Sequence, residues 1–255
     1  MSGVVGFVVA MPEERRAVLS GLGRSAVQQL DGVFYYSGRF ADTEFCLVES
    51  GMGCQAASAG AEGLVRYCNP ELLVSAGFCG AVRPGLKVAD LVVAQHLLRW
   101  NGEWLEDLGL PGLELMAARI VDRLKARGQQ ACHGSFVTTE RIVSKGFIAN
   151  KLPEQLGAPV LEMESSAVAE VASMHNIAFT GLRSVSDDAV MELGFSLDEF
   201  CDDQLRIRPG RVLQTCAKRP GIIPQLLRLA YNSSLAGKTL GKGAEILLGA
   251  YHERP

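Results

Sequence analysis

No apolar run in these 255 residues approaches the roughly 18 that a membrane-spanning helix needs, which argues against an integral membrane protein. The opening residues, Met1-Ser-Gly-Val-Val-Gly-Phe-Val-Val-Ala, lack the basic stretch and small-residue cleavage site of a secretory leader, so a cytoplasmic location is expected. The seven cysteines (Cys46, Cys54, Cys68, Cys79, Cys132, Cys201 and Cys216) are never spaced as CxxC and sit mostly in apolar stretches. They read as reduced residues, neither disulfides nor metal ligands. No internal repeat is visible, and nothing in a net charge of -3 calls for a nucleic-acid partner. Acidic residues are missing from one long stretch. Between 205 and 243 stand Arg206, Arg208, Arg211, Lys218, Arg219, Arg228, Lys238 and Lys242 without one Asp or Glu, which gives +8 there and -11 elsewhere. Such segregation is ordinarily a solvated face or tail; the other reading is an anionic surface or substrate.

What is present is apolar and strongly periodic. With 48 % hydrophobic and 21 % charged residues, the chain can bury one large core, and a second independent domain is not required. Short β-branched runs at 4–9, 34–36, 45–49, 72–75, 91–94, 135–138 and 178–184 predict strands, and 55–66, 112–127, 145–155 and 165–175 predict helices. That alternation predicts an α/β fold, a three-layer α/β/α sandwich around a central mixed, largely parallel twisted sheet. In such sheets ligands gather at the carboxyl ends of the strands. Residues 1–200 form the expected catalytic domain. Beyond about Asp198 the pattern changes: Pro209, Pro220 and Pro224 interrupt it, and 225–235 reads as a short amphipathic helix. Residues 201–255 are therefore expected to be a basic, partly helical extension packed on the same domain.

Two constellations stand out. Gly51-Met52-Gly53-Cys54-Gln55-Ala56 fits GxGxxA between a strand and a helix, but it follows the third strand, and any tight turn selects small residues. The second is a trio of carboxylates at strand ends or a helix start: Glu14, Glu164 and Asp187. Each alone has a plain explanation; an acid at a helix N-terminus, like Glu164, is favoured by the helix dipole.

Together they carry a resemblance. Leu161-Glu162-Met163-Glu164-Ser165-Ser166-Ala167 resembles the ribose-binding Met-Glu motif of the nucleoside phosphorylase and nucleosidase superfamily, and Arg183-Ser184-Val185-Ser186-Asp187 its base-binding Ser-Asp motif. Ala10-Met11-Pro12-Glu13-Glu14 is similar to the nucleosidase opening, and Val74-Ser75-Ala76-Gly77-Phe78-Cys79-Gly80-Ala81-Val82 to the glycine-rich ribose loop. The likeness runs in order over residues 3 to 200 and is closest to methylthioadenosine/S-adenosylhomocysteine nucleosidases.

The resemblance implies cleavage of a purine nucleoside at its N-glycosidic bond, with no cofactor and no metal. Asp187 would protonate or hydrogen-bond N7, which requires a proton held near neutral pH in a partly desolvated pocket. Glu164 would accept both ribose hydroxyls, with Met163 beneath the sugar. Glu14 would activate water and Arg183 would orient it; Ser186 belongs to the base-binding motif, and Gly77 to the ribose loop. Ile142 matches the position that reads the purine edge through backbone atoms, and Met52 the one that touches the 5′ group. Two residues depart from the pattern: Phe78 stands where a small hydroxyl residue is common, and Arg141 where a phenylalanine stacks on the purine.

Phosphorolysis needs cations to hold a phosphate dianion. The arginine before the glycine-rich loop and the Gly-Asp-Pro loop of bacterial phosphorylases are both absent, so hydrolysis is favoured, with a phosphorylase and a non-catalytic nucleoside binder as alternatives. The tail, with its Arg-Pro-Gly and Leu-Leu-Arg-Leu-Ala stretches, resembles that of hopanoid-associated phosphorylase-like proteins, which implies a 5′-lipid adenosine as substrate and peripheral membrane association. A homodimer or larger assembly is expected from the same resemblance.

Overall fold

Val-Val-Gly-Phe-Val-Val is apolar at nearly every position, and such a run is stable only as a strand covered on both faces. In the computed structural model, which describes residues 3–189, 197–200, 202, 208–249 and 251, it forms β1 (Val4–Val9). There follow α1 (Pro12–Leu22), β2 (Ser25–Leu30), β3 (Val33–Phe40), β4 (Thr43–Glu49), α2 (Cys54–Cys68), β5 (Leu72–Ala81), β6 (Leu91–Trp100), β7 (Leu105–Asp107), α3 (Leu113–Ala126), β8 (Ala131–Thr139), α4 (Lys145–Ala149), β9 (Pro159–Glu162), α5 (Ser165–Met174), β10 (Ala178–Asp187), α6 (Pro209–Lys218) and α7 (Ile223–Gly249). Short 3-10 turns lie at Leu197–Phe200 and Pro220–Ile222.

One mixed sheet holds all ten strands. β4, β1, β5 and β10 run parallel side by side, so their carboxyl ends share one edge. Beyond them β10 pairs antiparallel with β6, β6 parallel with β8, β8 parallel with β9, and β9 antiparallel with β5. That part of the sheet thus closes upon itself. Successive side chains of a strand face opposite sides: Val5, Phe7 and Val9 pack with α1, α3 and α7, while Val8 packs with α2 and α5. The three layers expected from the sequence are these.

Several boundaries differ from expectation. The Gly77–Gly80 stretch, read as a loop, is the second half of β5, held by β10 on one edge and β9 on the other. The chain at 12–14, read as a loop, already begins α1, with Pro12 at its first position, where a fixed φ and a missing N–H do no harm. The helix expected over 145–155 stops at Ala149, short of Pro153. The expected short helix at 225–235 lies in the first half of a 27-residue α7. Its glycines are packing sites: a Cβ on Gly241 would lie 2.4 Å from the carbonyl oxygen of Ala17, and one on Gly21 2.0 Å from that of Gly241. α7 also contributes Ala236, Leu240 and Ala244 to the main core. Cys201 and Arg206 lie outside the described residues; the other six cysteines are free thiols. Among the described residues no helix is long and apolar enough to cross a membrane.

Candidate active site

The carboxyl ends of β1, β5, β9 and β10 bring the predicted residues to one edge of the sheet. From the first turn of α1, Glu14 folds back over the strand end. Its Oε2 accepts hydrogen bonds from the N–H groups of Ala10 and Met11, both at 2.9 Å, and its Oε1 accepts from Phe78 N–H at 2.7 Å. The residue is 1 % exposed. Burial pushes its pKa above the ordinary 4.5, against the pull of Arg183 and of those three N–H donors.

Arg183, also 1 % exposed, is the hub. Its Nη2 lies 2.6 Å from Glu162 Oε2 and 3.2 Å from Glu164 Oε2, and it donates to the hydroxyls of Ser75 (3.1 Å) and Ser165 (3.2 Å). Nη1 lies 3.9 Å from Glu14 Oε1 and donates to Phe78 O at 3.4 Å. Glycine at 77 makes room for this, because a Cβ there would sit 2.1 Å from Arg183 Nη1 and 2.5 Å from Glu14 Oε1.

Glu164 caps α5. Its Oε1 accepts from Gly53 N–H at 2.9 Å and its Oε2 from Met163 N–H at 3.3 Å. Gly51 and Gly53, with φ of 96° and 92°, make the turn that aims this donor. The glycines of the GxGxxA stretch therefore serve a carboxylate. Burial raises the Glu164 pKa to about 7; Arg183 opposes the rise, Glu162 and Glu14 add to it, and the Gly53 donor lowers it. A folded value above 4.5 stabilises the fold most at low pH, and that contribution is lost as pH rises from about 4.5 through about 7. The urea midpoint of the protein should therefore fall between pH 5 and pH 8 more steeply than that of Glu164→Gln. Parallel curves would mean that Glu164 does not titrate in this window.

Asp187 ends β10 opposite Gly80, past a register shift after Val185. Arg183 pairs with Gly77 and Asp187 with Gly80, three residues along β5, so the β10 backbone at Asp187 lies roughly 10 Å from that at Arg183 at the usual rise. Ser186 Oγ donates to Asp187 Oδ1 at 3.0 Å. Asp187 keeps 21 % side-chain exposure and forms an ion pair with Lys145, a partner that the sequence did not suggest.

Of the other expected residues, Met52, Met163 and Ile142 are half-buried and Arg141 is exposed on the connection after β8. Phe78 contributes its backbone N–H and carbonyl to the network, while its ring joins the apolar cluster with Ala17, Ala236 and Leu240.

Sequence reasoning missed Lys145 and gave no role to Glu162. The Glu162 carboxylate accepts from Glu164 N–H (3.0 Å), Ser165 N–H (2.8 Å) and Thr138 Oγ1, capping α5 as it pairs with Arg183. Its position just before a helix start was the available signal. A surface cavity of about 450 Å³, lined by residues including Arg83, Asp90, Gln130 and Glu154, opens near the amino ends of β6, β8 and β9 and contains none of the carboxylate set. Its one arginine, Arg83, is spent on the carbonyls of Leu152, Pro153, Glu154 and Leu156.

Comparison with known proteins agrees with this fold. Residues 4–218 match the phosphorylase superfamily. Among solved structures, the 5′-methylthioadenosine/S-adenosyl homocysteine nucleosidase of Helicobacter pylori superposes with a TM-score of 0.71 at 17 % identity, covering 99 % of both chains. The futalosine hydrolase of the same organism also gives 0.71 at 17 % identity, with 98 % of each chain covered. The S-adenosylhomocysteine nucleosidase of Streptococcus pyogenes gives 0.65 at 22 % identity over 91 % of this chain and 97 % of its own. At such identities the likeness carries the fold, and the match over residues 4–218 carries the family: the chain belongs to the phosphorylase superfamily.

Proposed function

We propose that the protein is a purine nucleoside N-ribosyl hydrolase that releases adenine from an adenosine bearing a 5′ substituent. The observation that carries this reading is the buried Glu14–Arg183–Glu164 network, with Asp187 four residues beyond Arg183 on the same strand β10. Cleavage passes through a ribosyl cation and leaves an electron-rich base, so charge must be supplied at both ends. Glu164 accepts the ribose hydroxyls and supports the cation, with Met163 beneath the sugar. Glu14 takes a proton from the attacking water; a raised pKa makes it a better base than an ordinary glutamate. Asp187, oriented by Ser186, delivers the proton to N7. Backbone atoms at Ile142 read the purine edge, the Arg141 guanidinium stacks on the base, and Met52 meets the 5′ group.

Hydrolysis is favoured over phosphorolysis by charge. The Nη groups of Arg183 are already committed to carboxylates, and Glu14 would repel a phosphate dianion. Methylthioadenosine, S-adenosylhomocysteine and a 5′-alkyl adenosine, each incubated with and without phosphate, test the reading by following free adenine and the sugar. Free ribose product without phosphate is expected. Ribose-1-phosphate formed only with phosphate would make the protein a phosphorylase, and tight binding without product would make it a sensor.

A lipid 5′ group is supported by the surface beyond the core. α6 and the start of α7 leave Leu213, Leu227 and Tyr231 each more than 60 % exposed, with Arg211, Lys218 and Arg228 exposed on the same two helices. Apolar residues among cations suit an anionic bilayer surface, each nearby base contributing about 1 kcal/mol. The protein should sediment with vesicles containing phosphatidylserine and remain free of phosphatidylcholine ones. Equal behaviour on both, or no loss in the Lys218/Arg219/Arg228 charge-removed variant, would end that proposal.

A further inference from the structure

We infer that Lys145 is a positioning residue for Asp187 and the immediate source of the proton that Asp187 passes to the leaving base; this rests on the hydrolase reading above. The geometry is specific. Lys145 Nζ pairs with Asp187 Oδ2 and also donates to the backbone oxygens of Asp188, at 2.6 Å, and Asp187, at 3.4 Å. Two acceptors belong to Asp187 at the end of β10 and the third to Asp188, the next residue, so the ammonium hydrogens converge on the acid and the backbone beside it. Lys145 is also the first residue of α4, the helix end where a cation is least favoured. Helix formation does not explain a lysine there; pairing with Asp187 does. Glycine at 80 keeps the pair's space open, since a Cβ there would stand 2.9 Å from Asp187 Oδ2 and 3.1 Å from Lys145 Cε. Lys145 follows directly on the 140–144 connection that carries Arg141 and Ile142, so one side chain ties the base-reading segment to the acid.

The step balances without further reagents. As the bond from C1′ to the purine nitrogen breaks, its electron pair stays with the base. N7 takes a proton from Asp187, and Asp187 takes one from the Lys145 ammonium. The carboxylate is regenerated and Lys145 is left as a neutral amine, which regains a proton from solvent through its 18 % exposed side chain. Hydroxide from the attacking water joins C1′, and Glu14 returns the other proton to solvent.

The test uses the full chain with 5′-methylthioadenosine, S-adenosylhomocysteine and a 5′-alkyl adenosine. Lys145→Ala should lower kcat on the order of 10²-fold with KM within threefold. Ethylammonium should restore the rate in a saturable way, and tetramethylammonium, which has charge but no N–H, should not. Lys145→Arg keeps a cation that does not release its proton near neutral pH, so it should stay slow while melting like the wild type; it carries the test should the alanine variant fail to fold. Full activity in Lys145→Arg, equal rescue by tetramethylammonium, or an unchanged kcat in Lys145→Ala would overturn the proton role while leaving the hydrolase reading intact. A wild type that cleaves none of the three nucleosides would overturn both.

Discussion

Arg183→Met should lose about 3–5 kcal/mol of folding stability, the usual penalty for stripping the partner from buried charges, and should abolish turnover. In the native protein one guanidinium faces Glu14, Glu162 and Glu164 in a space from which water is excluded. Its own pKa is held up by those carboxylates even though burial pulls it down. Without it, three acids would share a dry interior, and each could escape only by taking up a proton. The loss should therefore be larger at pH 8 than at pH 5, because protonation neutralises the orphaned acids and the unfolded chain pays no such penalty. Urea unfolding at the two pH values measures this. A variant as stable as the wild type at pH 8 would show that the carboxylates do not depend on Arg183.

Asp187→Asn should lower kcat on the order of 10³-fold, the range associated with a lost general acid, while nucleoside binding survives. The amide keeps the shape of the carboxylate but has no proton to give at N7. Stability should change by no more than about 1 kcal/mol, since the lost ion pair with Lys145 is partly solvated on both sides. Adenine release and calorimetric titration with 5′-methylthioadenosine separate the two effects. A near-normal rate would remove Asp187 from the reaction.

The strands most legible in the sequence were those with a physical reason to be uniform. β1 and β10 are buried over most of their length, so their apolar runs announce them; β6 was read only to Ala94, where Gln95 and His96 break its apolar run. β2, Ser-Ala-Val-Gln-Gln-Leu, is almost wholly exposed and shows no clean alternation, and the three-residue β7 gives nothing to count. β5 was cut short because Gly77 and Gly80 look like loop residues; pairing on both edges, invisible along the chain, holds them extended. Glycines also hid the length of α7, where they mark the close crossing with α1. At the site, Glu14 and Glu164 stand where a motif meets an element end, while Arg183, inside β10, was readable only through the resemblance of its motif. The Lys145–Asp187 pair joins residues 42 positions apart and leaves no local trace. Glu162 was in plain view, but nothing in its neighbours told a cap from a ligand.

The contact of Gly21 with Gly241 fixes the order in which the protein can become competent. The helix that carries Glu14 precedes most of the fold along the chain, yet its inner residues Ala17, Val18 and Leu22 pack in one cluster with a helix that ends at Gly249. The first helix thus lacks its inner apolar cover until the last helix has docked.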